Sequence, residues 1–144
     1  LQIMGFSKMV KFLQEKNPNK IVICSIGNFY ISVGKDALLL NKIAKLRIGC
    51  TQVGLCKVGF PITSLEKYTN IIKENDYGYI VYDIDRDTDE LIVKESYEGK
   101  NNITEKNNNK GCSKCKDNFK HKEKDDIYLQ AIAKMYNLDI DTLL

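Results

Sequence analysis

Cys112 and Cys115 stand two residues apart with His121 beyond them, the one place where sulfur and imidazole donors fall near metal-site spacing. A C-x-x-C pair followed by a histidine is half of a zinc knuckle, and Gly111 permits the tight turn such a knuckle needs. Tetrahedral zinc requires a fourth donor. There is no second cysteine pair and no other histidine, which leaves Asp117, Glu123 or a core cysteine. Two readings stand: a zinc site on Cys112, Cys115 and His121 with one borrowed ligand, or a reduced dithiol in a polar loop. The incomplete ligand set favours the dithiol, so the expectation is no cofactor.

Asp83, Asp85, Asp87, Asp89 and Glu90 invite a calcium or metal-dependent nuclease reading. Counted from Asp83, an EF-hand loop would need glycine at Thr88 and glutamate at Lys94, and has neither. Acids alternating across a turn are instead the solvent-facing positions of a hairpin. The lone histidine lies in a lysine-rich stretch, so no Ser/His/acid constellation forms. No G-x-x-x-x-G-K-[ST] loop occurs either. The chain is expected to be a non-enzyme that hydrolyses no ATP.

Phe29 follows Gly27-Asn28 at a predicted bend between strands. An aromatic there can stack on a base or insert between base steps; it can equally be a core residue under the sheet. Both readings remain open on sequence. Lys8, Lys11, Lys35, Lys57 and Lys67 are the candidate phosphate contacts, which position a nucleic acid without reading it.

These residues need elements to hold them. Phe6, Met9, Val10 and Leu13 recur at helical spacing until Asn17-Pro18-Asn19 stops them. Ile21–Ile26 reads as a buried strand and 29–33 as the next, with Phe29 at the bend. Asp36 is placed to cap a helix whose inner face is Leu39, Leu40, Ile43 and Leu46. Strands are expected at 48–53 and 55–60. Thr63-Ser64-Leu65-Glu66 has capping-box spacing at the head of a helix with Leu65, Tyr68, Ile71 and Ile72 inward. Strands at 79–84 and 91–97 flank the turn Asp87-Thr88-Asp89. The pattern predicts an α/β domain with a mixed sheet of about five to six strands and flanking helices.

The 144 residues suit one domain with a core of its own. Its expected extent is 1–98. Residues 99–124 are an Asn/Lys-rich loop, since five of the residues from 101 to 109 are asparagine. Residues 125–144 return to helical spacing and should pack back on the domain. Cys24, Cys50 and Cys56 fall in apolar contexts and read as core, and the cysteines suit a reducing, cytoplasmic setting. No apolar run is long enough to span a membrane.

The net charge of +3 conceals segregation. Residues 1–73 carry eleven bases against three acids, whereas 74–98 carry two bases against nine acids. Residues 99–124 swing back to eight bases against three acids. A basic block attracts polyanions wherever the acidic block points elsewhere.

Gly27-Asn28-Phe29-Tyr30-Ile31, then Gly34-Lys35-Asp36-Ala37, then Gly59-Phe60-Pro61 with Leu65-Glu66-Lys67-Tyr68, resemble in order the motifs of MutS domain I, the mismatch-reading domain. The opening helix and Tyr79-Ile80-Val81-Tyr82-Asp83 also fit, so the resemblance spans roughly residues 6 to 84. In that family the phenylalanine wedges into the minor groove beside a mispair, and a glutamate two residues later hydrogen-bonds the displaced base. Here the phenylalanine is Phe29 and the glutamate position is Ile31. The resemblance implies a stand-alone accessory module that binds double-stranded DNA or an RNA/DNA hybrid without base-selective reading. Its partner would be a repair protein, or a reverse transcriptase of the kind found in diversity-generating retroelements. The alternative is a protein-binding adaptor on the same scaffold, with DNA reading lost.

Overall fold

β-Branched residues dominate the stretch from Lys20 to Ile26, and in the computed structural model this becomes β1 (Lys20–Ile26), with Ile21 to Cys24 wholly buried. The structure describes residues 3–50, 56–85, 87–88, 90–103 and 127–138. Helix α1 (Ile3–Lys16) precedes β1; after the two-residue turn Gly27-Asn28 comes β2 (Phe29–Val33). Gly27 has φ +61, a left-handed value that a glycine adopts without strain in a hairpin turn. Then follow α2 (Lys35–Ala44), β3 (Gly49–Cys50), β4 (Cys56–Pro61), a 3-10 turn at 62–64, α3 (Leu65–Glu74), β5 (Gly78–Asp85), β6 (Glu90–Tyr97) and α4 (Ile127–Tyr136).

The strands form one six-stranded sheet in the order β3-β4-β2-β1-β5-β6. β1 and β5 run parallel and every other pair antiparallel, which makes the sheet mixed as the sequence pattern predicts. Successive strand residues face opposite sides. Val22, Cys24, Ile26 and Val33 therefore join Met9 and Leu13 of α1 and Ile132 of α4 in one core layer. Ile21, Ile23, Tyr30 and Val81 join Leu40 of α2 and Ile72 of α3 in the other. Phe12 and Tyr136 meet at 5.1 Å between ring centroids and carry α1 against α4.

Where β1 and β2 part, Asp36 fills the gap. Their ladder ends at Cys24 and Ile31, and the Val22 amide donates to Asp36 Oδ2 at 3.0 Å. Gln14 of α1 donates its Nε2 to the same oxygen at 2.9 Å and to the Val33 carbonyl at 2.7 Å. Lys35 Nζ lies 3.5 Å from Asp36 Oδ1. The sequence reading of Asp36 as a helix cap is thus corrected. The cap position is Gly34, at φ 61 and ψ −130, a conformation open to glycine and without a side-chain cap bond. The capping box expected at Thr63–Glu66 is also absent, because Pro61 leads into a 3-10 turn in which the Leu65 amide bonds the Ile62 carbonyl.

β3 is described only over Gly49–Cys50, residues 51–55 lying outside the described set. Beyond β6, Asn101 donates its amide to the Asp76 carbonyl at 2.8 Å and its Nδ2 to the Asn75 carbonyl at 2.9 Å. Ile103 packs on the α2/α3 layer.

Burial pushes the Asp36 carboxyl above the usual carboxylate range, against the opposing pull of Lys35, the Val22 amide and Gln14. The folded chain therefore binds this proton more tightly than the unfolded chain does, so this group favours folding more as pH falls from neutral towards the ordinary aspartate range. Urea titrations should show the stability difference between wild type and Asp36→Asn shifting in favour of wild type as pH drops from 7 to 4. At neutral pH, Asp36→Ala should cost about 3 to 5 kcal/mol, because the Val22 amide and Gln14 lose an acceptor and Lys35 loses a nearby counter-charge inside the fold.

Candidate nucleic-acid interface

Phe29 opens β2 at one end of the sheet, paired with Ile26 on one side and Pro61 on the other. Its side chain is 49% exposed, although its neighbour Tyr30 is 4% exposed. Alternation explains the difference. Tyr30 points into the α2/α3 layer, 5.8 Å from the Phe60 ring, which in turn lies 4.6 Å from Tyr68. Phe29, Ile31 and Val33 share the opposite face, where burial falls off towards the sheet end: Val33 is buried, Ile31 half-buried and Phe29 exposed.

The tip is braced. The Ile62 amide donates to the Asn28 carbonyl at 3.0 Å, joining the Gly27-Asn28 turn to the turn after β4. Ile62 is itself 44% exposed, so its apolar side chain stands in solvent at the same end of the sheet as Phe29 and Pro61.

Ile31 rests against the α1 layer and lies over Gly59, where an added Cβ would come 2.7 Å from its Cδ1. The position two residues after the exposed aromatic is therefore apolar, half-buried and unable to hydrogen-bond a base.

The five candidate lysines are not brought together. Lys67 is exposed in the first turn of α3, close after Pro61, with its Nζ 5.3 Å from the Tyr68 ring centroid. Lys8 and Lys11 are half-buried on α1. Lys8 precedes Gln14 by six residues, roughly 9 Å of helix rise towards the Phe29 end. Lys57 pairs with Val33, four residues from Phe29 along the sheet, roughly 13 Å away. Lys35 departs from the expectation of a surface phosphate contact: its side chain is only 13% exposed and accompanies Asp36 inside the fold.

Sequence reasoning passed over Lys45 and Arg47, both exposed just beyond α2. β2 carries the chain away from Phe29 and the 10 residues of α2, about 15 Å, bring it back. The detectable signal was the absence of any acid from Ala37 to Leu65.

The other candidates separate. Asp83 and Asp85 are half-buried, and Asp85 Oδ1 accepts the Asp87 amide at 2.9 Å, closing the turn on itself. Among the described residues no three His, Cys, Asp or Glu side chains gather into a group that could hold a metal ion. Cys112, Cys115 and His121 lie outside the described residues. Cys24 and Cys56 are wholly buried, and burial pushes the Cys24 thiol up, away from the reactive thiolate. Cys50 has no described side chain. No described helix is long and apolar enough to cross a membrane.

A mixed α/β sheet with an exposed aromatic at a braced hairpin end defines a small α/β module built around one projecting tip. The family profile described as MutS domain I matches residues 4–107, and the chain belongs to that family, the mismatch-recognition type of domain. No curated protein matches the chain at a significant level.

Phe29→Ala should leave the melting temperature nearly unchanged, because an exposed side chain contributes within about 0.5 kcal/mol. Phe60→Ala, from the same motif pair but buried at 2% exposure, should cost about 3 to 5 kcal/mol. Equal losses in parallel thermal melts would show that Phe29 is packed like Phe60.

Proposed function

We propose that this domain is a non-catalytic module that binds double-stranded DNA or an RNA/DNA hybrid by placing Phe29 against the minor groove. It would recognise deformable or distorted steps by stacking and shape. The observation that carries this reading is the 49% exposure of Phe29 on a hairpin tip pinned by the Ile62 to Asn28 hydrogen bond. An aromatic held in solvent on a rigid tip costs the fold apolar exposure, and insertion between base steps is a use that would offset it. Mispairs and nicks favour such insertion because their bases are already partly unstacked.

Ile31 limits the selectivity. A carboxylate at that position could accept a hydrogen bond from a displaced base; an alkyl side chain offers only contact area. Preference for a mismatched over a matched duplex should therefore be no more than a few-fold in a gel-shift titration, and Phe29→Ala should weaken binding to both. A strong mismatch preference would contradict the shape-only mechanism. Absence of binding to any duplex at low salt would instead favour a protein-binding adaptor on this scaffold. In the cell, such a module would serve as an accessory to a repair protein or a reverse transcriptase.

A further inference from the structure

We propose that one arm of a bound duplex lies over the β3–β4 edge, held there by Lys45 and Arg47, and that the acidic β5–β6 turn keeps the other arm off the opposite edge. This rests on the nucleic-acid reading above and adds a direction to it.

The basic side is fixed in place. Asn41 donates its Nδ2 to the Leu46 carbonyl at 2.8 Å and accepts the Lys45 amide on its own carbonyl at 3.0 Å, which pins the turn after α2. Lys45 and Arg47 are exposed on that turn. The nearest preceding acid in sequence is Asp36, which is buried against Lys35, and the next acid is Glu66. This positive charge is therefore not offset within its own segment.

The acidic side is equally fixed. Because β1 and β5 run parallel with Cys24 beside Tyr82, β5 finishes at Asp85 level with the Gly27 turn, on the same end of the sheet as Phe29. β5 is two strands from β2, roughly 10 Å. Asp87 and Glu90 are exposed there. The Asp85 carboxylate closes the turn, and Lys134 of α4 donates its Nζ to the Thr88 carbonyl at 2.8 Å. A turn anchored at both points holds its acids close to the path of any backbone that would cross that edge. That distance is comparable with the screening length at about 0.1 M salt, so repulsion is strong in dilute buffer and weak in concentrated salt.

Fluorescence anisotropy of a short labelled duplex, titrated with the whole chain across a salt series, tests the direction. The variant Lys45→Gln/Arg47→Gln should bind more weakly, and its plot of log K against log salt should be shallower by about 0.9 for each phosphate contact removed. Arg47→Gln alone should give about half of that change, and guards against a folding defect at the left-handed Lys45. Lys94→Gln, on exposed β6, should leave the slope as in wild type. Asp87→Asn/Glu90→Gln should tighten binding several-fold at low salt, with the gain vanishing as salt rises. Unchanged slopes in both Lys45/Arg47 variants, an equal loss in Lys94→Gln, or no tightening on removing the acids would overturn the proposal while leaving duplex binding intact. Wild type that binds no duplex at all would instead overturn the functional reading beneath it.

Discussion

The Asp36 carboxylate is the joint on which the exposed tip depends. One oxygen accepts from the β1 backbone and from α1, and the other faces a cation on its own helix. Those bonds fix where β2 stops, where α2 starts and how α1 lies across the sheet. With the far end of β2 held in this way, its near end can project Phe29 beyond the helices without support from a covering layer. Buried carboxylates are costly unless every lone pair is addressed. Here the cost is only partly offset: Oδ2 accepts two hydrogen bonds in place of the strand contacts that the diverging ladder gives up, but Oδ1 has no hydrogen-bond partner among the described residues, and burial outweighs the pull of Lys35.

That arrangement also separates two roles within a single motif. Asp36, Gly34 and Tyr30 lie inside and build the turn from strand to helix. Phe29 lies outside, on the face where burial diminishes towards the sheet end. The segments around Phe60 and Pro61 divide the same way: Phe60 is packed between two rings, and Pro61 and Ile62 stand in solvent beside Phe29. A chain that keeps the inner residues and changes the outer ones would keep the fold and alter what it touches.

Much of the fold was legible because its signals are local. The spacing of Met9, Val10 and Leu13 gave α1, and the β-branched run to Ile26 with Gly27-Asn28 gave the hairpin and the position of Phe29. Asp36 misled because an acid at the head of a helix ordinarily caps it; only the parting of β1 from β2, a tertiary event, reveals an open amide for it to accept. Lys35 looked like any surface lysine until its neighbour turned inward. Lys45 and Arg47 escaped notice because they return to the Phe29 end only through a full reversal of the chain. Thr63 and Glu66 have the spacing of a capping box, but the geometry imposed by Pro61 pre-empts it.

The mechanical claim at the centre of this picture is that Phe29 enters the base stack. A duplex carrying 2-aminopurine beside a mismatch fluoresces weakly while that base is stacked and brightens when a neighbour is displaced. Saturating wild-type protein should raise the emission, and saturating Phe29→Ala, at whatever concentration anisotropy shows to be sufficient, should not. Full binding by wild type with the emission unchanged would contradict insertion, and would leave Phe29 as a surface contact that never reaches the bases.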